Sequence, residues 1–351
     1  MQWLKSIYQK AEPDAVTVGT VPGGKALSVV LSHDVDFTQS VVNAPVFAEY
    51  EKSAGVPATY FIQTKYIRDY YDEIFFNKQY IPYIQRLREL GMEIGSHSVS
   101  HSRIMSAFPL GSGQEAYPEY KPYISGTYFV HNSTLLGELR VSKYVLEQST
   151  GASVTSFRAG HLENPTVLPQ SLEACGYRYS SNMTANAALT HLPFQLTFSR
   201  DNREETDIYE FPITIEDELD PPMDARLDKA IALGQRIARY GGCMVVLIHP
   251  NVTGPKLAFE KGLVEAFRQK AWFGSIGEFG RWWAARDRTE VDVKRQNQNR
   301  LVQLRFGQEI KELSLDVPPG WTLQEGPGQQ LGSQVLVTSP PGEVTLVFSV
   351  R

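Results

Sequence analysis

Only two cysteines occur in the 351 residues, Cys175 and Cys243. Neither sits in a CxxC pair, so a disulfide framework is excluded and the compartment stays undecided. No apolar run reaches the ~20 residues a membrane helix needs, and residues 1–10 lack the apolar stretch of a signal peptide. The chain as given reads as soluble, either cytoplasmic or an exported protein whose anchor was trimmed. Basic excess is also missing. Lys and Arg number 34 against 39 Asp and Glu, a formal net charge of −5. That balance lacks the field of a dedicated nucleic-acid binder. No internal repeat and no low-complexity stretch is visible.

What is present is ordinary for a globular protein: 42% hydrophobic and 21% charged residues. The length suits about two domains and is ample for a buried core. Aromatics are abundant, with 17 Tyr, 17 Phe and 5 Trp. They suit a thick core and equally a groove that stacks on sugar rings.

After a polar lead-in ending at Pro22-Gly23-Gly24, short apolar runs recur at 26–32, 58–62, 92–96, 154–158, 177–181, 208–213 and 243–249. Each reads as a buried strand. Helical patterns lie between several of them, over 81–90, 135–148, 227–240 and 277–286, and three end at glycine. Strands alternating with helices imply βα units on a parallel sheet. Seven or eight units over about 260 residues fit a βα barrel, whose chemistry sits at the C-terminal strand ends. Two connections leaving that face are long, 64–80 and 102–134. The second carries Phe108, Tyr117, Tyr120, Tyr123, Tyr128 and Phe129. Such a loop is a lid, a binding wall, or a loop anchored by its own aromatics. Beyond 288 the pattern changes to alternating strands between Pro/Gly turns, as in a small β-sandwich. The division expected is therefore 1–24 lead-in, 25–288 barrel and 289–351 β-sandwich domain.

Four strand ends carry reactive side chains. Ser32-His33-Asp34-Val35-Asp36 places two acids two residues apart, although Asp at a strand end also serves turns and caps. His97-Ser98-Val99-Ser100-His101 places two histidines at i and i+4, a spacing that suits one metal ion and also arises incidentally. Phe157-Arg158-Ala159-Gly160-His161 puts an arginine where it can meet a carboxylate, plausibly Asp34. Leu247-Ile248-His249 ends an apolar strand in a histidine, which alone is more often structural. One carboxylate and two histidines make a metal site with open positions, suited to Zn²⁺ and also to Fe²⁺, Co²⁺ or Mn²⁺. The remaining acid could take a proton from water and the remaining histidine could give one to a leaving amine.

These residues resemble the motifs of the polysaccharide deacetylase family (NodB-homology, carbohydrate esterase family 4), over roughly Ala26 to Arg286. The resemblance implies a distorted (β/α)7 TIM-like barrel, here followed by a small C-terminal all-β, sandwich-like domain. It implies Asp34 as base, held by Arg158, and His249 as general acid. It implies Asp36, His97 and His101 as ligands of one divalent metal, Zn²⁺ first, then Co²⁺, Fe²⁺, Mn²⁺ or Ni²⁺. The sequence departs from the family pattern at three places. A residue separates the two acids, Gly160-His161 stands where a proline is expected, and Tyr179-Ser180-Ser181-Asn182 lacks an aspartate. Glu210 stands as the candidate acidic partner of His249, with His161 and Tyr128 as candidate substrate contacts. The activity expected is removal of N-acetyl, or O-acetyl, groups from a carbohydrate, with no nucleic-acid partner and no membrane span. The rivals are a small-molecule amidohydrolase on the same fold and a non-catalytic carbohydrate-binding protein.

Overall fold

The apolar run at 26–32 forms the strand Leu27–Val35, buried along its whole length. Burial on both faces is what a parallel strand under a layer of helices requires. The computed structural model describes residues 2–200 and 204–350. In it, Leu27–Val35 pairs in parallel with Cys243–Ile248 on one side and Thr59–Ile62 on the other. Glu93–Ser96, Ser156–Phe157 and Tyr179–Ser180 continue the parallel run. The segment from 205 to 215 then joins its two ends. Tyr209 pairs with Tyr179, and after Pro212 Ile213 pairs with Val245 and bridges Thr184. The sheet curls into the barrel expected, with Phe194–Thr197 added antiparallel at one edge.

The helices anticipated at 81–90, 135–148, 227–240 and 277–286 appear as Ile81–Glu89, Leu135–Thr150, Leu227–Ala238 and Ile276–Asp287. Among the helices that the pattern does not announce, the two longest are Thr38–Ala54 and Gly254–Phe267. Their apolar residues do not keep to one narrow stripe, and Pro45 interrupts the first. Gly151 closes Leu135–Thr150 in the left-handed region at φ 65°, where glycine avoids the Cβ clash. No helix among the described residues is long and apolar enough to cross a membrane.

The long connections meet each other: the backbone N–H of Tyr70 donates to the carbonyl of Ile124 at 3.0 Å. The second contains a two-stranded ribbon, Tyr123–Gly126 with Phe129–His131. At the opposite end of the barrel lies Ile276–Asp287. Its first turn is held by residues that open three strands. Ile276 N–H donates to Thr59 Oγ1 at 2.9 Å and Gly277 N–H to Glu93 Oε2 at 2.8 Å. Glu93 also accepts from the hydroxyls of Thr59 and Ser156.

Beyond 288 the chain forms two four-stranded sheets. One contains Glu290–Gln296, Asn299–Phe306, Gly342–Val350 and Trp321–Glu325. The other contains Ile310–Asp316, Gln334–Ser339 and Gly328–Leu331, and its edge is Thr17–Val18 from the lead-in. Residues 17–18 therefore pair with the C-terminal sheet: the lead-in is structurally part of the β region. Trp282 joins the two parts, its indole N–H donating to the Lys311 carbonyl at 2.9 Å.

Candidate active site

A strand's side chains alternate, so Ser32, Asp34 and Asp36 share one face and His33 takes the other. The extra residue between the acids therefore keeps both carboxylates on the inner face. Arg158, wholly buried, donates to Asp34 Oδ1 at 2.7 Å, to the hydroxyls of Ser32 and Ser181, and to the Ser181 carbonyl. Its guanidinium also covers the Phe61 ring at 4.3 Å. Burial alone would raise the Asp34 carboxyl. The charge and hydrogen bond of Arg158, with the nearby His249, outweigh it and hold the group below its ordinary value.

The potential ligand atoms of Asp36, His97 and His101 lie within 4.8 Å of one another. His97 Nδ1 lies 2.8 Å from the Arg158 carbonyl, so it must donate, leaving Nε2 as a bare lone pair. That Nε2 and Asp36 Oδ1 are buried with no hydrogen-bond partner. Orphaned buried acceptors are costly unless a cation or proton meets them. Burial pushes the Asp36 carboxyl up to about 7 and the histidine pKa values of His97 and His101 down. Neutral imidazoles are the form that binds a metal. The donor set, one carboxylate and two imidazoles, fits a divalent ion.

His249 closes the ring of groups, with Nε2 3.8 Å from Asp36 Oδ2. Its partner is Asp217. The Asp217 carboxylate accepts from His249 Nδ1 and from the His249 backbone N–H, each at 2.8 Å, and pairs with Lys256 at 2.5 Å. Burial opposes charging His249, but the Asp217 hydrogen bond and the nearby carboxylates win, and its pKa rises to about 9. The expectation that Glu210 plays this part is incorrect. Glu210 is buried against Ser180, Asn182 and Met183, accepting from one hydroxyl and two backbone N–H groups. Asp217 lies two residues beyond the strand Ile213–Ile215. The rule that strand C-terminal ends carry chemistry therefore applies to it as well. Its weak apolar pattern hid that strand's end.

These groups line a cavity of about 400 Å³, together with His161, Lys65, Tyr71 and the acidic pair Glu216 and Glu218. The His161 ring packs 4.5 Å from the His101 ring. Tyr128 does not line this cavity. It lies at the exposed turn of the 123–131 ribbon, and Tyr71 from the first long connection is the tyrosine on the wall.

A second His/carboxylate cluster lies behind the strand. His33 Nε2 is 2.7 Å from Glu51 Oε1, Tyr60 donates to Glu51 Oε2 at 2.7 Å, and Glu260 is 3.6 Å from His33. Two ligands of one tetrahedral ion sit roughly 3.3 Å apart, given bonds of about 2.0 Å. The 2.7 Å contact is instead a hydrogen bond, and the cluster ties Leu27–Val35 to Thr38–Ala54.

Comparison with known proteins bears on the same region. Residues 25–180 match the family model described as polysaccharide deacetylase. No curated protein matches the chain. Among solved structures, a Mycobacterium smegmatis protein assigned as a polysaccharide deacetylase is 16% identical. It covers 81% of this chain and 100% of its own, with a TM-score of 0.56. The chitin deacetylase of Colletotrichum lindemuthianum is also 16% identical, covering 75% of this chain and 89% of its own, with a TM-score of 0.45. A carbohydrate esterase family 4 pseudoenzyme from Bacillus anthracis is again 16% identical. It covers 74% and 66%, with a TM-score of 0.43. At 16% identity the likeness to the Mycobacterium smegmatis protein is one of fold, and the family resemblance rests on residues 25–180. Residues 25–180 thus resemble the polysaccharide deacetylase family, and the barrel shares its fold with the Mycobacterium smegmatis protein.

Proposed function

We propose that the chain is a metal-dependent deacetylase that removes N-acetyl groups from a carbohydrate. The observation that carries this reading is the meeting, in one cavity, of three candidate ligands, two of them with orphaned acceptor atoms, and two flanking groups, Asp34 held by Arg158 and His249 held by Asp217. Asp36, His97 and His101 would hold the ion. When bound, it supplies Lewis acidity that polarises the acetyl carbonyl and makes water more acidic. Zn²⁺ is our first choice, with Co²⁺, Fe²⁺, Mn²⁺ and Ni²⁺ suited to the same donors.

The chain's own groups then move the protons. Asp34, kept ionised by Arg158, takes the proton of the attacking water. His249, kept protonated by Asp217, gives its Nε2 proton to the departing nitrogen. The C–O bond forms first, and the C–N bond then breaks with its electron pair going to the protonated nitrogen, leaving acetate and a free amine. A protonated histidine favours an amine leaving group, which cannot depart as an anion; this is the ground for placing N-acetyl before O-acetyl. His161 and Tyr71, on the cavity wall, are the proposed substrate contacts. The β region packs against the far end of the barrel through Trp282, which supports an accessory role outside the chemical step.

The test combines elemental analysis with acetate release from a short acetylated chito-oligosaccharide. One divalent ion per chain and release that stops on chelation are expected. Stoichiometric metal with no release from N- or O-acetylated sugars would favour a binding protein instead.

A further inference from the structure

The segment between the two candidate histidine ligands is strained. Ser98 has φ 64° and His101 φ 54°, both in the left-handed region, and neither is glycine. Each such residue is strained and persists only if its surroundings dictate it. Gly160 leaves no freedom on one side: a Cβ there would lie 2.7 Å from the His101 ring.

On the other side stands Glu138, in the first turn of Leu135–Thr150 and wholly buried. Its Oε2 accepts the backbone N–H groups of Val99 and Ser100, each at 2.8 Å. These are two of the three residues between His97 and His101. Its Oε1 accepts the Tyr120 hydroxyl at 2.9 Å. Tyr120 belongs to the second long connection, and its carbonyl in turn accepts from Tyr66 of the first, at 2.5 Å. Gly137 makes room for this arrangement, since a Cβ there would lie 2.2 Å from the Tyr120 ring.

We propose that Glu138 is a positioning residue for the metal site. It holds the strained 97–101 turn in its ligating shape, and it couples that turn to both long connections through Tyr120. This rests on the ligand assignment proposed above. A carboxylate receiving two backbone donors is a strong and specific clamp. Outer partners of this kind commonly tune metal affinity by ~10–100-fold.

The test uses the full chain and three variants. Glu138→Met keeps the volume and removes the acceptors, Glu138→Gln keeps a carbonyl oxygen, and Tyr120→Phe removes only the outer donor. Two readouts are taken: Co²⁺ affinity and visible spectrum, and hydrogen exchange at Val99 and Ser100 in the metal-free protein. With circular dichroism unchanged, E138M should weaken Co²⁺ binding at least ~10-fold, alter the spectrum and speed exchange at both amides. E138Q should recover most of the affinity, staying about 3-fold weaker with modestly faster exchange, and Y120F should fall between E138Q and wild type. Wild-type affinity and exchange in E138M and E138Q would overturn the proposal, as would wild-type values in E138Q if E138M does not fold. If the wild-type chain binds no Co²⁺, the ligand assignment fails. The exchange arm then still decides whether Glu138 holds the turn.

Discussion

The two ends of the barrel are built on opposite principles. At the N-terminal end, Glu93 accepts from Thr59, Ser156 and Gly277, and Thr59 accepts from Ile276. Phe279, Trp282 and Trp283 then pack an apolar floor. Here Glu93 and Thr59 find partners and the aromatic side chains fill space. At the C-terminal end, His97 Nε2 and Asp36 Oδ1 lack partners, and four residues of the rim, Ser98, His101, His161 and Leu162, take left-handed backbone. Local rules are broken most densely at the rim, where the candidate ligands meet. Orphaned acceptors and left-handed backbone at the rim oppose stability, and apolar packing at the floor favours it.

The comparison can be broken by mutation. The largest effect is expected from His97→Ala and His101→Ala. Each should abolish stoichiometric metal by elemental analysis and take acetate release below detection, with circular dichroism unchanged. Retained metal in the double variant would show that the ligands are elsewhere. Next, Asp34→Asn should keep the metal and lower turnover by roughly 10³-fold, as loss of a general base does. If it instead loses metal while Asp36→Asn keeps it, the two acids exchange roles. Asp217→Asn should act less, lowering kcat by about 10²-fold. It should also move the alkaline limb of the pH profile to lower pH. The sign follows from the hydrogen bond: Asp217 raises the His249 pKa to about 9, so weakening that bond makes His249 lose its proton at lower pH. An unmoved limb would assign that limb to another group. The smallest effect on turnover is expected at the floor. Phe279→Ala should cost about 3–5 kcal/mol in urea unfolding and leave kcat on a short substrate unchanged. A change in kcat with the fold intact would show the two ends are coupled.

Much of this contrast is legible in the sequence. The apolar runs ended in Asp34, His97, Arg158 and His249, and a parallel barrel gathers strand ends at one face. Period and composition also marked the glycine-closed helices and the switch to alternating strands beyond 288. Other parts were not readable. Asp217 sits in an acidic run, Glu216-Asp217-Glu218, where nothing local distinguishes the member that turns inward. Glu210, at the end of a longer and clearer strand, was the better candidate by pattern and the wrong one by packing. Tyr128 and Tyr71 are equivalent in type, and only loop packing puts Tyr71 on the wall.

The division has a physical basis. Hydrophobic periodicity and strand-end chemistry are local properties, because each strand buries its own side chains and ends where its own apolar run ends. Sequence therefore pointed to the barrel and to six strand-end candidates, Asp34, Asp36, His97, His101, Arg158 and His249, which the fold brings together. The partners of those residues come from distant segments: Asp217 for His249, Glu138 for the 97–101 turn, and Thr17–Val18 for the sheet edge at Ile310–Asp316. Such pairings depend on how loops close over the finished barrel, and only the tertiary structure decided them.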